Sequence, residues 1–253
     1  MDAVDRLGPR LVGVLRRLAE ALDDAEAPFV VIGATAFLLH GVDLRRTTRD
    51  LDVAIAMVGG LDAVRPVLHR AGLSDTGIEH RFRDAEGDEI DVLVLDPDRT
   101  PLHDIPVGDG DVIHAVGLPE AVRAAQPIAV DSCVVPAARL SLLIAAKLHV
   151  ASSGARPHDL EDACAAMGEY ETQGTRRFDL DWDLARDVTL ETAGAYLAAR
   201  DASEWLEPAT LEIVQASVDR LLIQDPRLTE RFAAGAEQRA LVHAYRTGLS
   251  ASR

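Results

Sequence analysis

Cysteine is nearly missing from this chain. Cys133 and Cys164 are the only two, they lie far apart and they belong to no CxxC or Cys/His grouping, which excludes a disulfide framework and a structural zinc site. Both are expected as buried small apolar residues. Aromatic residues make up only 4% of the sequence, poor material for the stacked platforms that hold single-stranded nucleic acid. No apolar run approaches the ~20 residues needed to span a bilayer. The N-terminus opens with Asp2, Asp5 and an amphipathic stretch rather than a basic region followed by an apolar one, so the expectation is a cytoplasmic protein with no membrane partner. GxSxG, HExxH and GxxxxGK[ST] are all absent. Basic residues are scarce as well: 26 Lys and Arg face 42 Asp and Glu, for a net charge of -16. Such a surface repels phosphate backbones on average and attracts cationic partners or metal ions.

What is present suffices for a buried core, since 253 residues carry 48% hydrophobic content. Apolar residues recur at helical spacing from Leu11 to Leu22, with Pro9 at a first-turn position. Phe29 to Ile32 is expected as a short buried strand that Gly33 ends, and Ala34 to His40 as a helix. Leu51 to Met57 alternates as a second strand, and Leu61 to Arg70 is helical. Ile78 to Arg83 and Glu89 to Leu95 suit an antiparallel pair, because residues 84–88 between them have turn chemistry. Weak strands are expected at Val112 to Val116 and Ile128 to Val135, followed by helices from Arg139 to Val150 and from His158 to Met167. Beyond Glu169 strand signals vanish. Leu180 to Leu222 and Leu228 to Tyr245 are helical in period, with Trp182 and Trp205 as packing anchors. The expected organisation is therefore a domain over residues 1–170 and a helical C-terminal domain or appendage over 171–253, linked through Glu171 to Phe178.

The strongest chemical signal is the segment from Arg46 to Ile55. Residues two apart on a strand share a face at roughly 7 Å, so Asp50 and Asp52 present parallel carboxylates while Leu51, Val53 and Ile55 enter the core. Paired carboxylates repel unless a cation lies between them, and Mg²⁺ (or Mn²⁺) prefers a few carboxylates, water and nucleotide phosphates. Asp91, alone among apolar residues on the Glu89 to Leu95 strand, is the third candidate ligand and a candidate general base. Three such acids can hold two ions ~4 Å apart. Gly33, directly after a strand and at the start of a helix, suits backbone contacts to phosphate. An isolated DxD is more often a turn or a strand-start cap, and these neighbours shift the balance toward chemistry.

Val31 through Gly41, followed by Arg46, Thr48 and Asp50-Leu51-Asp52, resembles the nucleotidyltransferase pattern of strand, Gly-[Gly/Ser], helix and Asp-x-Asp. The resemblance points most to AbiEii-type toxin nucleotidyltransferases. It continues through Lys147 and the run from Arg156 to Asp162, and covers roughly residues 25 to 168. It implies an α+β nucleotidyltransferase fold, a mixed sheet flanked by helices, followed by a helical C-terminal region. It further implies catalytic and metal-binding roles for Asp50, Asp52 and Asp91, and NTP phosphate contacts at Gly33, Ala34, Thr35 and Lys147. Arg46 and Thr48 either touch the triphosphate or shape their loop. Ala34 stands where Gly or Ser is usual, removing a hydroxyl that Thr35 could replace, and His158 stands where lysine is common. Lys147 lies in an apolar helix, where a lysine either snorkels to solvent or meets an anion. Asp159 and Asp162 suit helix capping, or the orientation of Lys147 or Arg156. His40, His80, His103 and His114 form no metal-ligand spacing and are expected to be structural or at the surface.

The expected activity is transfer of an NMP from an NTP to an acceptor hydroxyl with release of pyrophosphate, in a toxin-antitoxin or phage-defence setting. The acceptor is a tRNA, a protein or a small cationic molecule such as an aminoglycoside; an aminoglycoside or lincosamide nucleotidyltransferase is thus one alternative. The other is a weakly active or inactive antitoxin-like binding protein on the same scaffold, acting through a cognate protein partner.

Overall fold

The computed structural model describes residues 3–44, 50–98, 104–107, 111–154, 157–224, 228 and 233–251. They form a mixed α+β architecture in two compact units, residues 1–139 and 140–253. This division falls after residue 139, where the expected one falls after residue 170: the two helices that follow residue 139 pack with the C-terminal helices.

The first unit is built on a seven-stranded sheet. Its strands are β1 (Phe29–Ile32), β2 (Leu51–Ala56), β3 (Ser74–Asp75), β4 (Arg81–Arg83), β5 (Glu89–Leu95), β8 (Gln126–Val130) and β9 (Cys133–Ala137), in the order β3-β4-β5-β2-β1-β9-β8. A separate hairpin pairs β6 (Asp104–Val107) with β7 (Asp111–His114). β2 runs antiparallel to β1 and parallel to β5, while β4 runs antiparallel to β5. Leu51, Val53 and Ile55 on one face of β2 are fully buried, as is Ile90 on β5. Each such side chain contributes about 1.5–3 kcal/mol on leaving water. Helices α1 (Ala3–Asp24), α2 (Gly33–Leu39), α3 (Gly60–Arg70) and α4 (Leu118–Arg123) complete this unit. α1 absorbs Pro9 because Gly8, at φ 78°, breaks the helix just before it.

Several elements differ from the sequence-based expectation. The single strand expected over Ile128 to Val135 is a hairpin, because Asp131 adopts φ 51° and turns the chain after Val130. β3, β6 and α4 are too short for their periodicity to stand out. The helical period from Leu180 to Thr192 is not used. Residues 170–192 are turns, with Asp181 Oδ1 accepting from the amides of Asp183 and Leu184 at 3.1 and 3.4 Å. That side-chain alternative to helical bonding is what Asp offers the backbone. Trp182 and Trp205 are both more than 40% exposed rather than packed anchors.

The second unit contains α5 (Leu140–Ser152), α6 (Pro157–Glu169), α7 (Ala193–Trp205), α8 (Pro208–Gln224) and α9 (Ala233–Ser250). α5 is apolar nearly all round and packs against α6, α7 and α8, as expected of a central helix. Among the described residues no helix is long and apolar enough to cross a membrane.

The turn between β4 and β5 is set by Asp84. Its buried carboxylate accepts from the amides of Glu86 and Asp88 at 2.9 and 3.0 Å through Oδ1, and from Arg17 at 3.2 Å through Oδ2. Removing it strands three donors, and unsatisfied buried groups each cost about 1–3 kcal/mol, water relieving those nearest the surface. Asp84→Ala is therefore expected to lower unfolding free energy by about 2 kcal/mol in urea titrations. Asp84→Asn, which keeps the Oδ1 acceptor, is expected to lose less. Equal losses from the two would contradict the turn's dependence on Oδ1.

Candidate functional site

Four neighbouring strands carry one cross-sheet row. Ile32 on β1 pairs with Asp52 on β2, Asp52 with Asp91 on β5, and Asp91 with Arg81 on β4. Residues directly opposite on adjacent strands project from the same face, so Asp52, Asp91 and Arg81 share one surface. Asp50 lies two residues before Asp52 and is exposed. Its carbonyl accepts from the hydroxyl of fully buried Thr35 at 2.9 Å, tying the start of β2 to α2. Thr35 is thus a positioning residue, and its hydroxyl is already committed rather than replacing the one that Ala34 lacks.

Gly33 is required twice over. It adopts φ +62°, and a Cβ built on it would lie 2.0 Å from Asp52 Oδ2, 2.7 Å from Cγ and 2.9 Å from Cβ. The Asp52 carboxylate therefore rests on the bare Cα at the junction of β1 and α2, in a cradle that any side chain would fill.

Arg81 dominates the electrostatics of this face. Its Nε and Nη2 donate to Asp91 Oδ1 and Oδ2 at 2.7 and 2.8 Å, and Nη1 donates to Glu89 Oε2 at 3.1 Å. Arg83 donates to Glu89 Oε1 at 2.6 Å. Its hydrogen bonds to Asp91, with the nearby charges of Asp91, Glu89 and Asp50, hold the Arg81 guanidinium above its ordinary pKa despite partial burial. Among the described residues, four carboxylates against two guanidiniums leave this face negative, which attracts a further cation.

All three sequence-predicted acids offer oxygen, the donor that Mg²⁺ and Mn²⁺ take, and Gly33 has no side chain where the Asp52 carboxylate rests. The donor chemistry fits such an ion. Their carboxylates do not yet converge, however. Among the described residues no group of three His, Cys, Asp or Glu side chains is placed to hold a metal. Both Asp91 oxygens face Arg81 instead.

Sequence reasoning missed Arg81, although a signal was present. A five-residue turn over 84–88 pairs 83 with 89 and hence 81 with 91, as the register bears out.

Arg46 and Thr48 lie outside the described residues, as do His103 and Arg156. Ala34 is buried in the first turn of α2. Lys147 belongs to the second unit, where its ammonium pairs with Asp159 and lies 3.3 Å from Asp162 Oδ2. Side-chain exposures of 16%, 6% and 5% make this a largely buried triad, so Lys147 neither snorkels freely nor lies bare for an anion. Of the two roles open to Asp159 and Asp162, the triad favours orientation of Lys147. His40 is structural: Nε2 donates to the carbonyl of Ala138 at 2.7 Å, and burial pushes the imidazole below its ordinary pKa.

A cavity of about 630 Å³ lies at the other end of β1, around Phe29, Arg16, Glu20 and Asp23. Cys133 lines it and is half-buried, whereas Cys164 is buried as expected.

No family model matches the chain, and no curated protein matches it. Among solved structures, it is similar to an antigenic nucleotidyltransferase-like protein from Paracoccidioides brasiliensis at 19% identity, over 83% of this chain and 94% of that one, with a TM-score of 0.43. It is similar to the antibiotic-resistance factor ANT(2'')-Ia at 12% identity over 77% and 95%, with a TM-score of 0.40. The CdnC protein of E. coli MS115-1, in a structure with ATP, matches at 15% identity over 90% and 68%, with a TM-score of 0.32. None of these three is described as an AbiEii-type toxin.

Proposed function

We propose that the first unit is a metal-dependent nucleotidyltransferase site that moves an NMP from an NTP to an acceptor hydroxyl and releases pyrophosphate. The observation that carries this reading is the register of Asp52 against Asp91, with the Asp52 carboxylate seated in the Gly33 cradle. In this reading Asp50, Asp52 and Asp91 hold Mg²⁺ or Mn²⁺. A divalent ion there lowers the pKa of an acceptor hydroxyl and neutralises charge on the triphosphate. The remaining work belongs to the chain: Thr35 fixes the approach of Asp50, and Gly33 and Ala34 bring backbone amides beside the triphosphate. Asp91 accepts the proton of the acceptor hydroxyl.

The charge of -16 favours a cationic small molecule or a protein as acceptor over an extended nucleic acid. A second reading, a binding scaffold without turnover, draws on the Arg81 pair that occupies Asp91. One experiment separates them. The protein is incubated with Mg²⁺ and each labelled NTP, in parallel with total RNA, lysate proteins and an aminoglycoside. Label on one acceptor, lost in the Asp50→Ala/Asp52→Ala variant, supports transfer and names the acceptor. Label on none, with nucleotide still bound, supports the scaffold reading and removes the enzyme.

A further inference from the structure

We propose that Arg81 is a resident counter-cation of the carboxylate site, holding Asp91 out of divalent-metal coordination until a metal–nucleotide complex displaces it toward Glu89. The inference rests on the metal-site reading above and adds its regulation. A guanidinium fork that donates to both oxygens of one carboxylate takes the same inward-facing lone pairs that a metal ion uses. At 2.7 and 2.8 Å, Arg81 makes that fork with Asp91. Two cations cannot share those lone pairs, so full coordination by Asp91 requires Arg81 to leave.

The structure supplies a place for it to go. Nη1 already donates to Glu89 Oε2 at 3.1 Å, and Glu89 is held from the other side by Arg83. Displacement therefore exchanges one carboxylate partner for another that is already engaged, without leaving a guanidinium unpaired. The backbone need not move, because Asp52, Asp91 and Arg81 are in register across β2, β5 and β4. The exchange also accounts for three acids sharing one face while their carboxylates stand apart. Asp91 then joins Asp50 and Asp52 as a ligand only once the incoming metal ion has taken the place of Arg81. Arg81 acts through Asp91 and is a positioning residue.

Mn²⁺ titration of the full chain, followed by electron paramagnetic resonance with and without a non-hydrolysable NTP analogue, tests this. Arg81→Gln is expected to tighten Mn²⁺ binding in the absence of nucleotide at least ten-fold and to shrink the enhancement that the analogue produces in wild type. Arg83→Gln removes the same charge from the same face without touching Asp91, and is expected to change the dissociation constant less than three-fold. Unchanged or weakened binding in Arg81→Gln, or an equal gain in Arg83→Gln, overturns the proposal. If Arg81→Gln fails to fold by circular dichroism, Arg81→Lys keeps the charge but loses the fork. It is then expected to tighten binding by a smaller factor that still exceeds that of Arg83→Gln, and a factor no greater overturns the proposal. Asp52→Asn separates the two layers: binding that depends on Asp52 but not on Arg81 rejects this inference alone. Binding indifferent to Asp52, or absent from every variant at millimolar Mn²⁺, rejects the proposed function as well.

Discussion

Gly33→Ala is expected to lower the proposed nucleotidyl transfer on the order of 10²-fold or more and to destabilise the first unit, although it adds a single methyl group. The added Cβ would sit 2.0 Å from Asp52 Oδ2, and rotating that carboxylate away does not suffice, because Asp52 Cβ is itself only 2.9 Å distant. Either β2 shifts against β1 or Gly33 leaves its φ of +62°, a region that costs an L residue roughly 1–2 kcal/mol in any case. Overpacking of this kind adds about 1–3 kcal/mol. Mn²⁺ affinity and urea unfolding measure the two effects. The clash can be isolated by a double-mutant cycle, since Asp52→Ala removes Oδ2 and Cγ and leaves only the contact with Cβ. Gly33→Ala should then cost less stability in the Asp52→Ala background than in wild type. Should Gly33→Ala unfold and bind Mn²⁺ like wild type, the seating of Asp52 on Gly33 is wrong.

The same contact shows why part of this site was legible in the sequence. A glycine at the end of an apolar strand, two aspartates spaced to share a strand face and a lone aspartate in another apolar strand are local patterns, and β1, β2 and β5 follow them. What periodicity does not carry is the partner of each acid. Arg81 lies on a strand of three residues, too short for alternation to register, and its pairing with Asp91 depends on where the 84–88 turn closes. Lys147 in the second unit was more legible: the sequence offers Asp159 and Asp162, one helix later, for orienting it, and both carboxylates meet its ammonium. The hairpin hidden in the run from Ile128 to Val135 turns at Asp131, a residue in the left-handed region that an otherwise β-prone stretch does not announce. Pairing, unlike period, is a property of the assembled sheet.

Gly248→Ala is the second large effect, and it falls in the helical unit. A Cβ on Gly248 would lie 2.4 Å from the carbonyl oxygen of Tyr196 and 2.8 Å from Ala199 Cβ. The obstacle is the backbone of α7, which no rotamer relieves, so α9 must move away from α7 and open the contact that buries Tyr196 and Tyr245. Opening a packed helix pair in this way is expected to cost about 3 kcal/mol. Gly194→Ala is expected to cost a similar amount, because its Cβ would meet the carbonyls of Met167 and Tyr170 at 2.4 and 2.8 Å. Gly168 provides the opposite sign. It lies in α6 with nothing within 4 Å of its added Cβ, and Ala there restricts the unfolded chain without a clash. Gly168→Ala is therefore expected to raise stability by roughly 0.5–1 kcal/mol, read as a higher urea midpoint at unchanged slope. The three substitutions add the same atom to helices of one unit, so helix propensity alone would make all three stabilising. A destabilised Gly248→Ala beside a stabilised Gly168→Ala assigns the difference to close backbone approach between α7 and α9, and matching gains in both would refute that approach.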